Sequence, residues 1–180
     1  GSMLEAVAQE ATRQGLTSIR TVQAPAENLP FGDGTFDAAF CRFTTHHWSD
    51  AVVGRREVRR VLSPAGIARF IDVTAPASAV LDSWLQTLEL LRDILHVRNY
   101  PVAEWTALLG QAGFAIQTVG THRLRMEFES WAARTKTPPE RVAAIRSLQS
   151  AAPDEVIRHF GIEADGSFML DVTSFQVVPL

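Results

Sequence analysis

The sequence predicts an α/β protein with a mostly parallel sheet and an antiparallel C-terminal edge. Short β-prone runs alternate with helix-period segments from Ile19 onward, the pattern of strands joined by helical crossovers. The run Phe36–Thr44 (FDAAFCRFT) is apolar or aromatic at nearly every position, as expected of a strand covered on both faces. The last two β-prone stretches form a closing pair, which supplies the antiparallel edge.

Leu4, Val7, Ala8 and Ala11 recur at helical spacing before Gly15, so residues 3–14 read as an amphipathic helix. SIRTVQA reads as a short strand over Ile19–Ala24, ended by Pro25, which cannot donate to a ladder. Asp33-Gly34 is a turn signal ahead of the apolar strand. Ser49 or Asp50 can cap a helix whose Val53, Val58, Val61 and Leu62 face inward until SPAG stops it. IARFIDV, Ile67–Val73, is a second buried strand. Pro76 suits the first turn of a long helix with Val80, Leu81, Trp84, Leu85, Leu88, Leu91 and Leu95 in one stripe. PVAEWTALLGQAGF is a helix ended near Gly113, and AIQTVGTHRLRMEF a strand of mixed alternation. Helical stretches follow at Trp131–Thr135, Glu140–Ser150 and Asp154–Phe160, then a last strand at Phe168–Val178.

At 180 residues and 46 % hydrophobic, the chain suits one domain, 3–180, after a Gly1-Ser2 cloning scar. A net charge of −3 with mixed signs gives no broad basic field, so nucleic acid and anionic membranes are not expected partners and a small molecule is. The lone Cys41 makes no internal disulfide, and no apolar run reaches the roughly 18 residues of a membrane span, so the expected location is cytoplasmic.

Ala26-Glu27, Leu29-Pro30-Phe31, Phe36-Asp37, Cys41-Arg42, His46-His47-Trp48, Asp50, Arg56-Glu57, Arg60-Val61-Leu62 and Pro64 form a long ordered set. In this set the sequence resembles the class I S-adenosylmethionine-dependent methyltransferases, and most closely the branch similar to the ubiquinone and menaquinone biosynthesis methyltransferases. LRDILHVRNY and FESWAARTKTP resemble that branch's substrate-side segments, so the likeness covers nearly the whole chain. The resemblance implies a Rossmann-like sheet with strand order 3-2-1-4-5-7-6 and S-adenosylmethionine as cofactor. It also implies a small, apolar or aromatic acceptor.

The departures shape further expectations. Pro25 stands where the family often has an acidic residue for the adenine, and Pro64-Ala65-Gly66 replaces P-G-G, where Ala in a positive-φ turn costs about 1 kcal/mol. The family's glycine-rich loop and ribose-holding acid belong before Met3, so the resemblance implies a domain truncated at its N-terminus, with weak or absent cofactor binding. Two strands would be lost from the middle of the sheet, leaving Phe36–Thr44 as an apolar edge; a homodimer is expected to cover it, and the other repair is for the N-terminal helix and strand to move across and pair directly with Phe36–Thr44. The alternative is a non-catalytic remnant of the fold, stabilised by dimerisation.

Sites in open α/β sheets lie beyond the carboxyl ends of the strands, which selects Pro25–Glu27, Arg42–Trp48 and Asp72–Thr74. His46 and His47 are the candidate catalytic residues, since an imidazole titrates near neutrality, although adjacent histidines also serve as a loop or cap feature. The resemblance makes Pro25, Ala26, Glu27 and Arg42 the candidate cofactor contacts; for Arg42 an ion pair with Asp37 or Asp72 is the other reading. Cys41 reads as a core thiol, the arginines of GRREVRR as a solvated face, and Phe31, Trp105 and Trp131 as pocket walls or core. His96, His122 and His159 lie in separate elements, so no metal site is expected.

Overall fold

The computed structural model describes residues 2–180; Gly1 lies outside the described residues, and with it part of the expected Gly1-Ser2 scar. In chain order the elements are α1 (Ser2–Arg13), β1 (Phe36–Arg42), a 3-10 turn (Thr45–His47), α2 (Ala51–Val61), β2 (Leu62–Val73), α3 (Ala79–Arg92) and α4 (Val102–Gln111). They continue with β3 (Phe114–Met126), α5 (Phe128–Arg134), α6 (Pro139–Ser150), α7 (Asp154–Phe160) and β4 (Phe168–Pro179).

One mixed sheet runs in the order β1-β2-β4-β3, which is the 4-5-7-6 part of the expected order. Among the described strands only β1 and β2 pair in parallel; β2 with β4 and β3 with β4 are antiparallel. The α/β class and the antiparallel C-terminal edge are as expected, and the parallel share is smaller. The Ile19–Ala24 strand does not form. Residues 19–25 run as irregular chain with Ile19 46 % and Val22 47 % exposed. A strand exists only where a neighbour takes its N–H and C=O groups, and none of the described strands lies beside this segment.

β1 departs from expectation in its cover. Read as buried on both faces, it is an edge strand with Phe40 73 % and Phe36 37 % exposed. It pairs on one side only, and α1, in which Ala11 alone is buried among the described side chains, leaves it open.

Asp50 caps α2, its carboxylate accepting from Val52 and Val53 N–H. SPAG does not form a turn: β2 begins at Leu62, and the surplus residues bulge as the register jumps from Phe36 opposite Leu62 to Ala38 opposite Ile67. Ala65 therefore avoids positive φ, and the anticipated strain is absent. The Arg-Glu-x-x-Arg segment is a staple for the loop before β1. Arg60 donates to the Leu29 and Phe31 carbonyls at 3.0 and 2.7 Å, while Glu57 accepts the Leu29 N–H at 2.9 Å. Arg60's hydrogen bonds, with that N–H adding, hold the Glu57 carboxyl down at about 2.

Two cores lie on opposite sides of β4, whose Phe168, Leu170 and Val172 join one and Phe175 and Val177 the other. The first packs Trp84, Leu85 and Leu88 of α3 with Trp131 and Phe160; the second packs Val58, Trp105, Leu109 and Phe114. Each fully buried Leu or Phe side chain contributes roughly 1.5–3 kcal/mol. Val80 and Leu95 leave the expected α3 stripe, at 50 % and 70 % exposure; Leu95 lies beyond the helix end. Arg55 corrects the solvated-face reading, with no exposed surface. It shares the inner side of α2 with Ala51, Gly54 and Val58, at the i, i+3, i+4, i+7 spacing of a buried stripe.

Candidate active site

A cavity of about 470 Å³ opens at the carboxyl ends of β1 and β2, where ligands of α/β sheets sit. Arg42, Phe43, His46 and His47 line one side, and Arg92, Trp131 and Arg134 are also in its wall. Phe43 builds the corner. Its N–H still bonds the Ile71 carbonyl at 2.9 Å, but its φ of 52° lies in the left-handed region. That costs a non-glycine residue on the order of 1 kcal/mol and turns the chain out of the strand into the 3-10 turn that carries the histidines.

Asp72, 1 % exposed near the end of β2, organises that turn. Its carboxylate accepts from the Thr45 N–H at 3.0 Å, the Thr45 hydroxyl, the Val73 N–H at 2.9 Å and His46 Nδ1 at 2.6 Å. A buried carboxylate tolerates desolvation only when so supplied with donors. With Nδ1–H committed to Asp72, the His46 Nε2 has no protein partner among the described residues, on a ring that lines the cavity. Burial opposes the imidazolium, but the hydrogen bond and charge of Asp72, helped by Glu89, outweigh it, so the His46 pKa lies above the ordinary histidine value.

His47 is exposed and donates Nδ1–H to the Leu95 carbonyl at 3.0 Å, its ring 4.2 Å from that of His46. The Val97 and Arg98 N–H groups close the other end on the His46 carbonyl at 2.8 and 3.2 Å. Beneath them His96 donates Nε2–H to Gln86 at 2.9 Å, which leaves its buried Nδ1 without a partner. Burial first, then repulsion from His46 and His47, pushes His96 down to about 4, so it is neutral at pH 7.

The remaining predicted residues divide. Arg42 is at the cavity, its Cζ 4.7 Å from the Phe43 ring centroid. It makes no ion pair with Asp37 or Asp72: Asp37 accepts from Ser63 Oγ, and Asp72 is filled by the donors above. Pro25, Ala26 and Glu27 do not line the cavity. They form a turn closed by the Asn28 N–H on the Pro25 carbonyl, and Glu27 accepts the Asp50 N–H at 3.1 Å. Trp131 is a cavity wall, whereas Trp105 is core and Phe31 packs edge-on against Phe36. Burial, then the charge of Asp72, pushes Cys41 up to about 12, which keeps it a thiol. Sequence reasoning missed Asp72 as the hub; it did not single out Arg92 and Arg134, though they lie in LRDILHVRNY and FESWAARTKTP respectively, the segments whose resemblance implied the substrate side. The available signal for Asp72 was a lone charge at the end of the apolar run Phe70-Ile71-Asp72-Val73.

Comparison with known proteins agrees with this architecture. A methyltransferase-domain family matches residues 1–70. The chain is 44 % identical over 170 residues to the uncharacterized protein YafE of Escherichia coli, covering 94 % of this chain and 82 % of that one. It is 37 % identical over 153 residues to the uncharacterized methyltransferase YcgJ of Bacillus subtilis, covering 85 % of this chain and 60 % of that one. The crystal structure of YcgJ superposes with a TM-score of 0.92 at 34 % identity, over 99 % of this chain and 78 % of that chain. A shorter match, 38 % over 65 residues, is to the ubiquinone/menaquinone biosynthesis C-methyltransferase UbiE of Idiomarina loihiensis, covering 36 % of this chain and 26 % of that one. With the strand order, the strand-end cavity and these relatives in agreement, the chain belongs to the class I S-adenosylmethionine-dependent methyltransferases.

Proposed function

We propose that the cavity holds the methyl-donating end of S-adenosylmethionine and a small, apolar or aromatic acceptor, and that His46 is the base for that acceptor. The His46–Asp72 pair at the cavity wall carries this reading. The cofactor supplies an already activated methyl group, so the protein's part is alignment, exclusion of water and, for an acceptor that must lose a proton, a base. His46 takes that proton on Nε2 while Asp72 holds Nδ1–H and steadies the imidazolium. His47 orients the acceptor from the rim. Arg42, a guanidinium with no carboxylate partner among the described residues, suits the carboxylate of the cofactor's methionyl group.

The fit is to one end of the cofactor only. Pro25, Ala26 and Glu27, the proposed adenosine-side residues, lie off the cavity, and the Glu27 carboxylate is engaged with Asp50. We therefore expect weak binding, with Kd on the order of 1 mM, about −4 kcal/mol. Titrating S-adenosylmethionine by calorimetry and NMR should give that affinity, with shifts at Arg42, Phe43 and His46. Micromolar affinity would reject the weak-binding part. Saturation without shifts at those residues would reject the site.

The open edge of β1 supports the second part of the proposal: two copies cover it, in a reducing cytoplasm where Cys41 stays a thiol. A strand with one edge unpaired and Phe36 and Phe40 exposed is a template for another strand. It also favours the alternative of a non-catalytic remnant stabilised by dimerisation, which an S-adenosylmethionine titration without response would select. Sedimentation velocity at tens of micromolar should show a dimer that Phe40→Lys dissociates. A well-folded monomer throughout that range would refute the association.

A further inference from the structure

We infer that the acceptor carries an anionic group, a carboxylate or a phosphate, received by Arg134. This rests on the proposal that the cavity is the acceptor site, and follows from its charges. Three guanidinium groups, Arg42, Arg92 and Arg134, line a cavity with two carboxylates, Glu89 and Asp93, in a chain whose net charge is −3. Both carboxylates are engaged. Glu89 pairs with Arg92 at 3.0 Å, and Asp93 accepts the Leu95 N–H at 2.9 Å. Arg92 is also anchored through Nε to the Trp131 carbonyl at 3.2 Å. With Arg42 given to the cofactor's own carboxylate, one cation is left over.

Arg134 makes only weak protein contacts. Its Nε donates to Ser130 O, one turn back on α5, at 3.3 Å, and Nη2 approaches Met126 Sδ at 3.8 Å, a weak acceptor. No carboxylate pairs with it among the described residues. The Nε contact holds the stem, so the outer edge of the guanidinium can receive two anion oxygens side by side, which an ammonium cannot do. Around it the wall is apolar: Met126, Leu124, Trp131 and Leu170. An uncompensated fork beside an apolar wall fits a molecule with an apolar body and one acidic head. It offers a neutral molecule nothing to offset desolvation of the cation.

The test needs neither turnover nor cofactor. 2-Naphthoate, 2-naphthyl phosphate and the neutral 2-naphthamide are titrated into the full chain carrying Arg42→Gln, which keeps the cofactor-side guanidinium, open without cofactor, from answering for Arg134, and followed by NMR. The two anions should bind about tenfold more tightly than the amide. Arg134→Gln should erase that advantage without altering amide binding, and Arg134→Lys should restore part of it; Arg134 is exposed, so folding is not at stake. The ratio of carboxylate to phosphate affinity identifies the head group. Equal binding of all three ligands would overturn the inference, as would an anion preference that survives Arg134→Gln. Because S-adenosylmethionine is absent, failure here is distinct from failure of the cofactor titration.

Discussion

Asp72→Ala should destabilise the protein by about 3–5 kcal/mol, the cost of stranding buried groups that shared one ionised partner. Removing the carboxylate leaves the Thr45 N–H, the Thr45 hydroxyl, the Val73 N–H and His46 Nδ1 facing an empty site. Thr45 is 2 % exposed, so water does not readily replace the lost acceptor. The effect depends on pH. The native state holds a proton on His46 above the ordinary value of 6.5, so this contribution is fully present below 6.5 and is lost as pH rises through the raised pKa. The gap between wild type and Asp72→Ala should therefore narrow as pH rises above 6.5 in urea denaturation. The His46 resonances of the variant should titrate at lower pH than those of wild type. A loss below 1 kcal/mol, or an unchanged His46 titration, would remove Asp72 from its place at the centre of the site.

What the sequence disclosed and what it hid follow from the range of the interactions. Periodicity located the packed helices, because the spacing of Trp84, Leu85 and Leu88 is a local property. The strand order followed from the resemblance, and the strand-end rule placed Arg42, His46 and His47 at one cavity. The Asp72 hub joins residues 26 and 27 positions apart across two strand ends, and no pattern along the chain encodes such a meeting. Ile19–Ala24 failed for a related reason: β propensity describes a residue's fit to a sheet, and this segment has no sheet beside it. β1 has the composition of a strand covered on both faces and the exposure of an edge, because composition reports the apolar character of a run and not how many strands pair with it.

Trp105→Ala should be the other severe substitution. Trp105 is 1 % exposed, stacked on Phe175 at 5.0 Å and beside Phe70 at 5.9 Å, and deleting such a side chain costs roughly 3–5 kcal/mol. It is also the nearest wall of the Arg55 cage, with Cζ 3.9 Å from its ring centroid and Tyr100 and Trp48 at 5.5 and 6.0 Å. Arg55 is fully buried, donates through Nη1 to the Ala51 carbonyl, and has no protein partner for Nε and Nη2. Burial pushes it down to about 10, still charged at neutral pH. The rings thus supply much of what stabilises the cation, about 2 kcal/mol for a desolvated cation–π pair, and the total approaches the 5–15 kcal/mol that holds a typical domain together. Removing the cation tests this division. Arg55→Met discards a buried charge with unpartnered nitrogens, so alone it should be near neutral, and in Trp105→Ala it should recover about 2 kcal/mol. Urea denaturation of the two single variants and the double variant gives that coupling directly. Strict additivity would mean that Arg55 is held by its Ala51 hydrogen bond and that the rings around it are ordinary core.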